Sequence, residues 1–304
     1  MADFDLHILG CGSALPTTRH SAASQVINLR DKLYMIDCGE GTQVRMRACG
    51  IRFSRLNHIF ISHLHGDHCF GLPGLISTLG MLGRRGALFI YGHKDVEDYM
   101  RPILARFCAG LPFEVVFVAV DTGKHELIME DKSLKVYSIP LRHRIPTCGF
   151  LFEEKAKEDH LVRDMIDFYN IPVSLLQAVK RGGDYTAPEG EVIPHSRLTR
   201  PADPPKRYAY CSDTAFSPHI APLIRGVDLL YHEATFAAAD IARARQTAHS
   251  TAAQAALTAR EGEVKKLIIG HFSARYDSEE ALRLEADSIF PGTILAREGL
   301  VVHV

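Results

Sequence analysis

Ile59-Phe60-Ile61-Ser62-His63-Leu64-His65-Gly66-Asp67-His68 is the stretch on which the reading of this chain turns. Four apolar or small residues form a strand that opens into a tight turn bearing four potential metal ligands within six positions. Side chains at such a strand end converge on one sheet edge, where they can gather around two cations rather than one. That pattern suits a dinuclear hydrolase. Neutral imidazoles favour zinc over magnesium or calcium, while Asp67 offers an oxygen ligand or a proton acceptor beside a metal-bound water.

Two metals need more ligands than this turn supplies, and three further residues follow β-like runs in the same way. His143 comes after Ser138-Ile139-Pro140-Leu141, Asp213 after Tyr208-Ala209-Tyr210-Cys211-Ser212, and His271 after Lys266-Leu267-Ile268-Ile269-Gly270. Taken singly, a histidine or aspartate after a strand is a turn or cap residue. Together the three match the number still required.

Periodicity places the motifs on an alternating framework. Strands are expected at 6–9, 25–29, 33–36, 59–62, 88–91, 115–120, 134–139, 208–211, 229–231 and 266–269, with 30–32 turning a hairpin. Helices are expected at 71–82, 96–108 and 248–260, the first with Pro73 near its start, where proline is tolerated. Two mixed halves of similar size predict an α/β four-layer αββα sandwich, a single domain over 1–304 with metals between its sheets. Between about 153 and 205 the pattern changes: a charged helix at 159–169, then Ile171-Pro172, Lys180-Arg181-Gly182-Gly183 and a proline-bearing stretch. This segment reads as an inserted arm or, equally on composition, as a long surface excursion without function.

Composition narrows the rest. An apolar share of 46% in 304 residues supports a substantial core, and 35 basic against 36 acidic residues give no overall field for a polyanion or a membrane surface. Any polyanion must be held by local patches. Seven cysteines, odd in number and never spaced as CxxC, argue against a disulfide framework or zinc ribbon and predict a reducing, cytoplasmic setting. No basic segment followed by an apolar one opens the chain, and no apolar run reaches membrane-spanning length, so neither secretion nor membrane insertion is expected.

Further motifs make the chain resemble the ribonuclease Z family, tRNA 3′-processing endonucleases of the metallo-β-lactamase superfamily. Leu9-Gly10-Cys11-Gly12-Ser13-Ala14 with Pro16-Thr17 is similar to the family's N-terminal glycine turn, and Asp37-Cys38-Gly39-Glu40-Gly41-Thr42-Gln43 to its second motif. His232-Glu233-Ala234-Thr235-Phe236 and His249-Ser250-Thr251 complete a pattern that general β-lactamase relatives lack. The resemblance implies a metallo-β-lactamase sandwich with two Zn2+ per chain. His63, His65 and His143 would hold one ion and Asp67, His68 and His271 the other, with Asp213 between them. It also implies a homodimer acting on precursor tRNA, with cleavage leaving a 3′-hydroxyl on the tRNA and a 5′-phosphate on the trailer.

Asp67 is the expected proton acceptor, and His249, opening the alanine-rich helix, the group that donates a proton to the leaving oxygen or stabilises charge on phosphate. Asp37 and Glu233 read equally as carboxylates that orient ligand histidines or as ordinary hydrogen-bonding groups. Arg142, Arg144, Lys180 and Arg181 are candidate RNA contacts, with Arg84-Arg85 and the basic residues of 197–207 beside them. The arm lacks the family's usual glycine-proline pair, Asn170-Ile171-Pro172-Val173-Ser174-Leu175 standing there; Cys11 and Arg45 replace a frequent threonine and glutamine. Other chemistries on such a scaffold are a glyoxalase II-like thioesterase or lactonase, a di-iron oxidoreductase and a non-catalytic RNA-binding protein. His65, where the oxidoreductases resemble HxExDH, favours zinc, and the full ligand set favours catalysis.

Overall fold

The computed structural model describes residues 4–304. Its strands begin with β1 (Phe4–Gly10), β2 (Ser24–Leu29), β3 (Lys32–Ile36), β4 (Leu56–Phe60), β5 (Leu88–Gly92), β6 (Val115–Ala119), β7 (Leu127–Glu130), β8 (Leu134–Pro140) and β9 (Cys148–Glu154). Four two-residue strands follow: β10 (His160–Leu161), β11 (Tyr185–Thr186), β12 (Val192–Ile193) and β13 (Thr199–Arg200). The last five are β14 (Arg207–Cys211), β15 (Leu229–Glu233), β16 (Leu267–Gly270), β17 (Ile294–Leu295) and β18 (Val301–His303).

Two seven-stranded sheets carry the larger compact unit, Met1–Glu153 with Lys206–Val304. One runs β18-β1-β2-β3-β4-β5-β6 and the other β17-β16-β15-β14-β9-β8-β7. Each is half antiparallel and half parallel: β3 to β6 are parallel in the first, β14 to β17 in the second. Parallel strands share one carboxyl edge, so the residues that follow them collect there.

Alternation along each strand sends side chains to opposite faces. Ile27, Tyr34, Ile36 and Phe60 enter a core shared with Phe150, Phe152 and Tyr208 of the second sheet. Val26, Met35 and Ile59 face the other way, into a second core. The helix Leu72–Met81 covers that face with Leu72, Leu75, Ile76 and Leu79, a stripe at helical spacing. Against the other sheet, Ala252–Glu261 buries Ala252, Ala255, Ala256 and Ala259, small side chains that let the helix approach closely. The result is the αββα sandwich that the sequence predicts. Phe60 sits edge-on to Phe152, 5.3 Å between ring centroids, and Phe60→Ala would cost about 3–5 kcal/mol. Among the described residues no helix is long and apolar enough to cross a membrane.

The smaller compact unit, Glu154–Pro205, has its own core of Ile166, Ile171, Val179, Tyr185, Ile193 and Leu198. Its strands pair in two short ladders, β10 with β13 and β11 with β12.

Three local readings need correction. The hairpin loop is only Arg30-Asp31, both at positive φ as a type I′ turn requires, because Lys32 already pairs with Leu29. The helix expected at 159–169 is only Arg163–Phe168, since His160 and Leu161 satisfy their backbone in the ladder with Arg200 and Thr199. The alanine-rich helix starts at Ala252 rather than 248: Thr251 caps it, accepting from the Gln254 amide while the Gln254 side chain accepts from the Thr251 amide. Strands β7, β9 to β13, β17 and β18 have no counterpart among the expected strands. In β9 the run Phe150-Leu151-Phe152 is buried on both faces and so shows no alternation to read.

Candidate metal centre

Strand ends deliver the site. Asp37 follows β3 at φ 55°, and its amide donates to the Phe60 carbonyl at 2.8 Å, locking the ends of β3 and β4 together. Beyond β4 the chain runs through Ser62 into His63 and His65, with His68 on the short helix Gly66–Cys69. Gly39 passes so close beneath this turn that a Cβ there would stand 2.4 Å from the Asp67 carbonyl oxygen. From the second sheet come His143 after β8, Asp213 after β14 and His271 after β16.

The seven expected side chains are brought together in two groups. In the first, His63 Nε2 lies 3.0 Å from His65 Nδ1, and His143 Nε2 3.3 Å from the same nitrogen. Asp213 Oδ2 stands 3.5 Å from His63 Nε2 and 3.7 Å from His143 Nε2. In the second, His68 Nε2 and His271 Nε2 are 3.3 Å apart, and each is 3.4 Å from Asp67 Oδ2. Asp213 Oδ1 completes this group at 3.3 Å and 3.1 Å from the same two nitrogens. One carboxylate therefore reaches both groups, one oxygen to each.

Outer partners set which ring nitrogen faces inward. Asp37 is fully buried and accepts from the Ser62 amide (2.8 Å), the Ser62 hydroxyl (2.9 Å), His68 Nδ1 (2.7 Å) and the Tyr210 hydroxyl (2.6 Å). His63 Nδ1 donates to Ser62 Oγ at 2.9 Å, His143 Nδ1 to the Ala248 carbonyl at 2.9 Å, and His271 Nδ1 to Thr235 Oγ1 at 2.9 Å. Thr235 in turn donates to Glu233 Oε2 at 2.6 Å. Each of these rings thus keeps its Nε2 lone pair pointing into the cluster.

That arrangement fits bound cations. The Nε2 lone pairs of His68 and His271 face each other at 3.3 Å with both Nδ1 atoms already committed as donors. Asp67 Oδ2 is buried and accepts no hydrogen bond. Buried polar atoms are paired, so an orphaned carboxylate oxygen among bare nitrogens marks a place for a positive ion. Imidazole and carboxylate donors of this kind suit zinc and similar transition metals.

Charge follows the same geometry. Burial, joined by His63 and His143, lowers His65 to about 4, keeping it neutral. Burial opposes charge on His249, but the Glu233 carboxylate, 2.8 Å from its Nδ1, prevails and lifts it to about 9. The His249 Nε2 lies 3.9 Å from Asp213 Oδ2, and its ring stacks on His271 at 5.3 Å. His249 does not open a helix. It lies in the connector after Ala248, whose left-handed conformation (φ 56°, ψ 48°) ends the helix Ile241–Thr247.

The expected basic residues divide. Arg142 and Arg144 are exposed beside His143, and Arg144 lines a cleft of about 580 Å³ that also reaches His65 and Asp67. Lys180 and Arg181 belong to the smaller unit, where Arg181 pairs with Glu158 at 2.9 Å. Arg84 is structural, spending its guanidinium on the carbonyls of Leu56, Gly86 and Ala87. Ser62, Tyr210, Thr235 and the Ala248 carbonyl carry no assigned role in the sequence reading. Tyr210 was reachable: three residues before Asp213, it alternates onto the inner face of β14.

Residues 4–102 match a family model described as "Anti-Pycsar protein Apyc1", which covers less than half of the chain. Across all 304 residues the chain is 68% identical to a ribonuclease Z of Parabacteroides distasonis and 60% identical to one of Bacteroides fragilis, covering 100% of each protein. Identity to a ribonuclease Z of Azobacteroides pseudotrichonymphae is 51% over the same span, covering 100% of that protein. Among solved structures, the short form of human tRNase Z superposes with a TM-score of 0.71 at 24% identity, covering 98% of both chains. The metallo-β-lactamase fold protein YhfI of Bacillus subtilis gives 0.69 at 16% identity, over 99% of this chain and 100% of that one. Those two likenesses concern the fold.

Proposed function

The chain belongs to the ribonuclease Z family, and from that premise we propose that it is a zinc-dependent endoribonuclease that removes the 3′ trailer of precursor tRNA. Cleavage leaves a 3′-hydroxyl on the tRNA and a 5′-phosphate on the trailer. The observation that carries the reading is Asp213, one carboxylate shared between a three-histidine group and an Asp67-His68-His271 group.

His63, His65 and His143 would hold one zinc and Asp67, His68 and His271 the other, with Asp213 reaching both groups. Bound zinc supplies Lewis acidity, lowering the pKa of water from 15.7 to about 7 and neutralising phosphate charge. Asp67 takes the proton of the attacking water on the carboxylate oxygen that it does not offer to the metal. His249, held and kept charged by Glu233, faces the same centre through Nε2 and gives a proton to the leaving ribose oxygen. Asp37 and the Glu233–Thr235 pair hold His68 and His271 in the tautomer that leaves Nε2 free.

Arg142 and Arg144 contact phosphates beside the cleft, and the unit 154–205, through Lys180 and Arg181, grips the tRNA body by shape. The enzyme acts as a homodimer in a reducing, cytoplasmic setting, consistent with seven unpaired cysteines. A precursor tRNA with a 3′ trailer, incubated with metal-stripped and then zinc-restored protein and mapped at both ends, tests the proposal. A zinc-dependent cut with the stated end groups is expected. Equal cleavage without metal, or a 2′,3′-cyclic end, overturns it.

A further inference from the structure

At the rim of the cleft, away from the seven-residue cluster, a thiol, an imidazole and a carboxylate meet. Cys11 follows β1, His20 lies in the loop between β1 and β2, and Glu298 stands just before β18. Cys11 Sγ is 3.4 Å from His20 Nδ1 and 3.8 Å from Glu298 Oε1, and His20 Nδ1 is 3.2 Å from Glu298 Oε2. Zinc binds sulfur at about 2.3 Å and nitrogen or oxygen at about 2.0–2.2 Å in a tetrahedron, which separates neighbouring ligand atoms by about 3.3–3.6 Å. The sulfur–nitrogen separation matches such an edge, and the carboxylate presents Oε1 3.8 Å from the sulfur and Oε2 3.2 Å from the nitrogen, either within a small shift of one.

The surrounding residues fit too. His20 Nε2 is 3.1 Å from Glu279 Oε1, and that carboxylate is braced by Arg19 at 3.0 Å. A metal-binding histidine characteristically donates its second ring nitrogen to a carboxylate in this way. Access exists on one side, because His20 lines the cleft that reaches Asp67. The Glu298 carboxylate also accepts from the Ser21 amide at 2.7 Å, which fixes its approach. Cys11 is fully buried, so its sulfur is shielded from competing thiols.

We propose that Cys11, His20 and Glu298 form an additional binding site for a zinc-like divalent cation. Binding replaces the Cys11 thiol proton, which leaves to solvent, by the metal. Thiolate and imidazole together select a soft or borderline ion over magnesium or calcium. The ion would pin the loop carrying His20 to the ends of β1 and β18, and so fix one wall of the cleft. His20 also rests against Phe272, the neighbour of His271, at 5.7 Å between ring centroids.

Cobalt(II) reads this site without reference to catalysis. Thiolate coordination gives a sulfur-to-cobalt absorption in the near ultraviolet, and the Asp213-centred groups contain no sulfur. The full-length protein saturated with cobalt(II) is expected to show that band, together with one more metal per chain than Cys11→Ser by elemental analysis. Cys11→Ser and His20→Ala should each lose the band, whereas His63→Ala keeps it. Glu279→Gln, which leaves all three ligands in place, should weaken cobalt binding about 10–100-fold. Absence of the band in the wild-type protein, its survival in Cys11→Ser, or equal metal content in the two overturns the site. None of these outcomes depends on whether tRNA is cleaved.

Discussion

The larger unit and the 154–205 unit are built to different tolerances. The candidate metal centre rests on two seven-stranded sheets, and His63, His68, Asp37 and Glu233 are all 0% exposed. The smaller unit has six buried core residues and ladders of two residues each, and it leaves Phe168 and Val173 72% and 83% exposed. Chemistry at phosphorus needs groups held to about 0.5 Å, which only a deep, doubly covered core secures. Holding a folded RNA by its backbone needs charge and reach, for which a small, loosely covered unit suffices. On the proposed function the difference predicts a division of labour: the large unit should govern turnover, the small one affinity.

The largest test of that division is metal removal. Chelation, or Asp213→Ala, should abolish turnover while tRNA binding, measured by filter retention, persists through the smaller unit. Loss of binding in parallel would break the comparison. Next comes His249→Ala, expected to lower kcat by about 10²–10⁴ with metal content unchanged. Unchanged turnover there would remove the proton-donor role. Asp37→Asn should weaken metal binding about 10–100-fold, because the charge facing His68 is lost and one acceptor oxygen remains where two serve four donors. A competition titration with a chromogenic chelator measures it. The smallest effect belongs to the arm: Lys180→Ala with Arg181→Ala should raise KM, leave kcat alone, and flatten the log–log salt dependence of binding by about 0.7–0.9 for each phosphate left without its cation. A fall in kcat would show that the two units share the chemistry after all.

The same contrast explains what could be read from the chain. His63, His65, Asp67 and His68 are contiguous, so their convergence needs only one strand and one turn. His143, Asp213 and His271 are separated by scores of residues, yet each follows an apolar run; Asp213 and His271 end parallel strands with a common carboxyl edge, while His143 follows the antiparallel β8. Backbone contributions were harder. The Ala248 carbonyl that orients His143 belongs to a left-handed alanine, and propensity counts alanine as a helix former, which is why 248–260 reads as one helix. In the arm, charged residues at helical spacing outweigh Leu161 in the reading, but the ladder to Thr199 is a non-local pairing that no local pattern announces.

β9 and β14 are antiparallel neighbours, with Glu153 opposite Arg207 in the register. Everything between them therefore occupies the place of a hairpin turn. Since the closure entropy of a loop grows only as the logarithm of its length, a cassette of any size can be spliced there without shifting a single strand of the catalytic body. Selection can exchange that cassette for another while the ladder on either side of it is inherited intact.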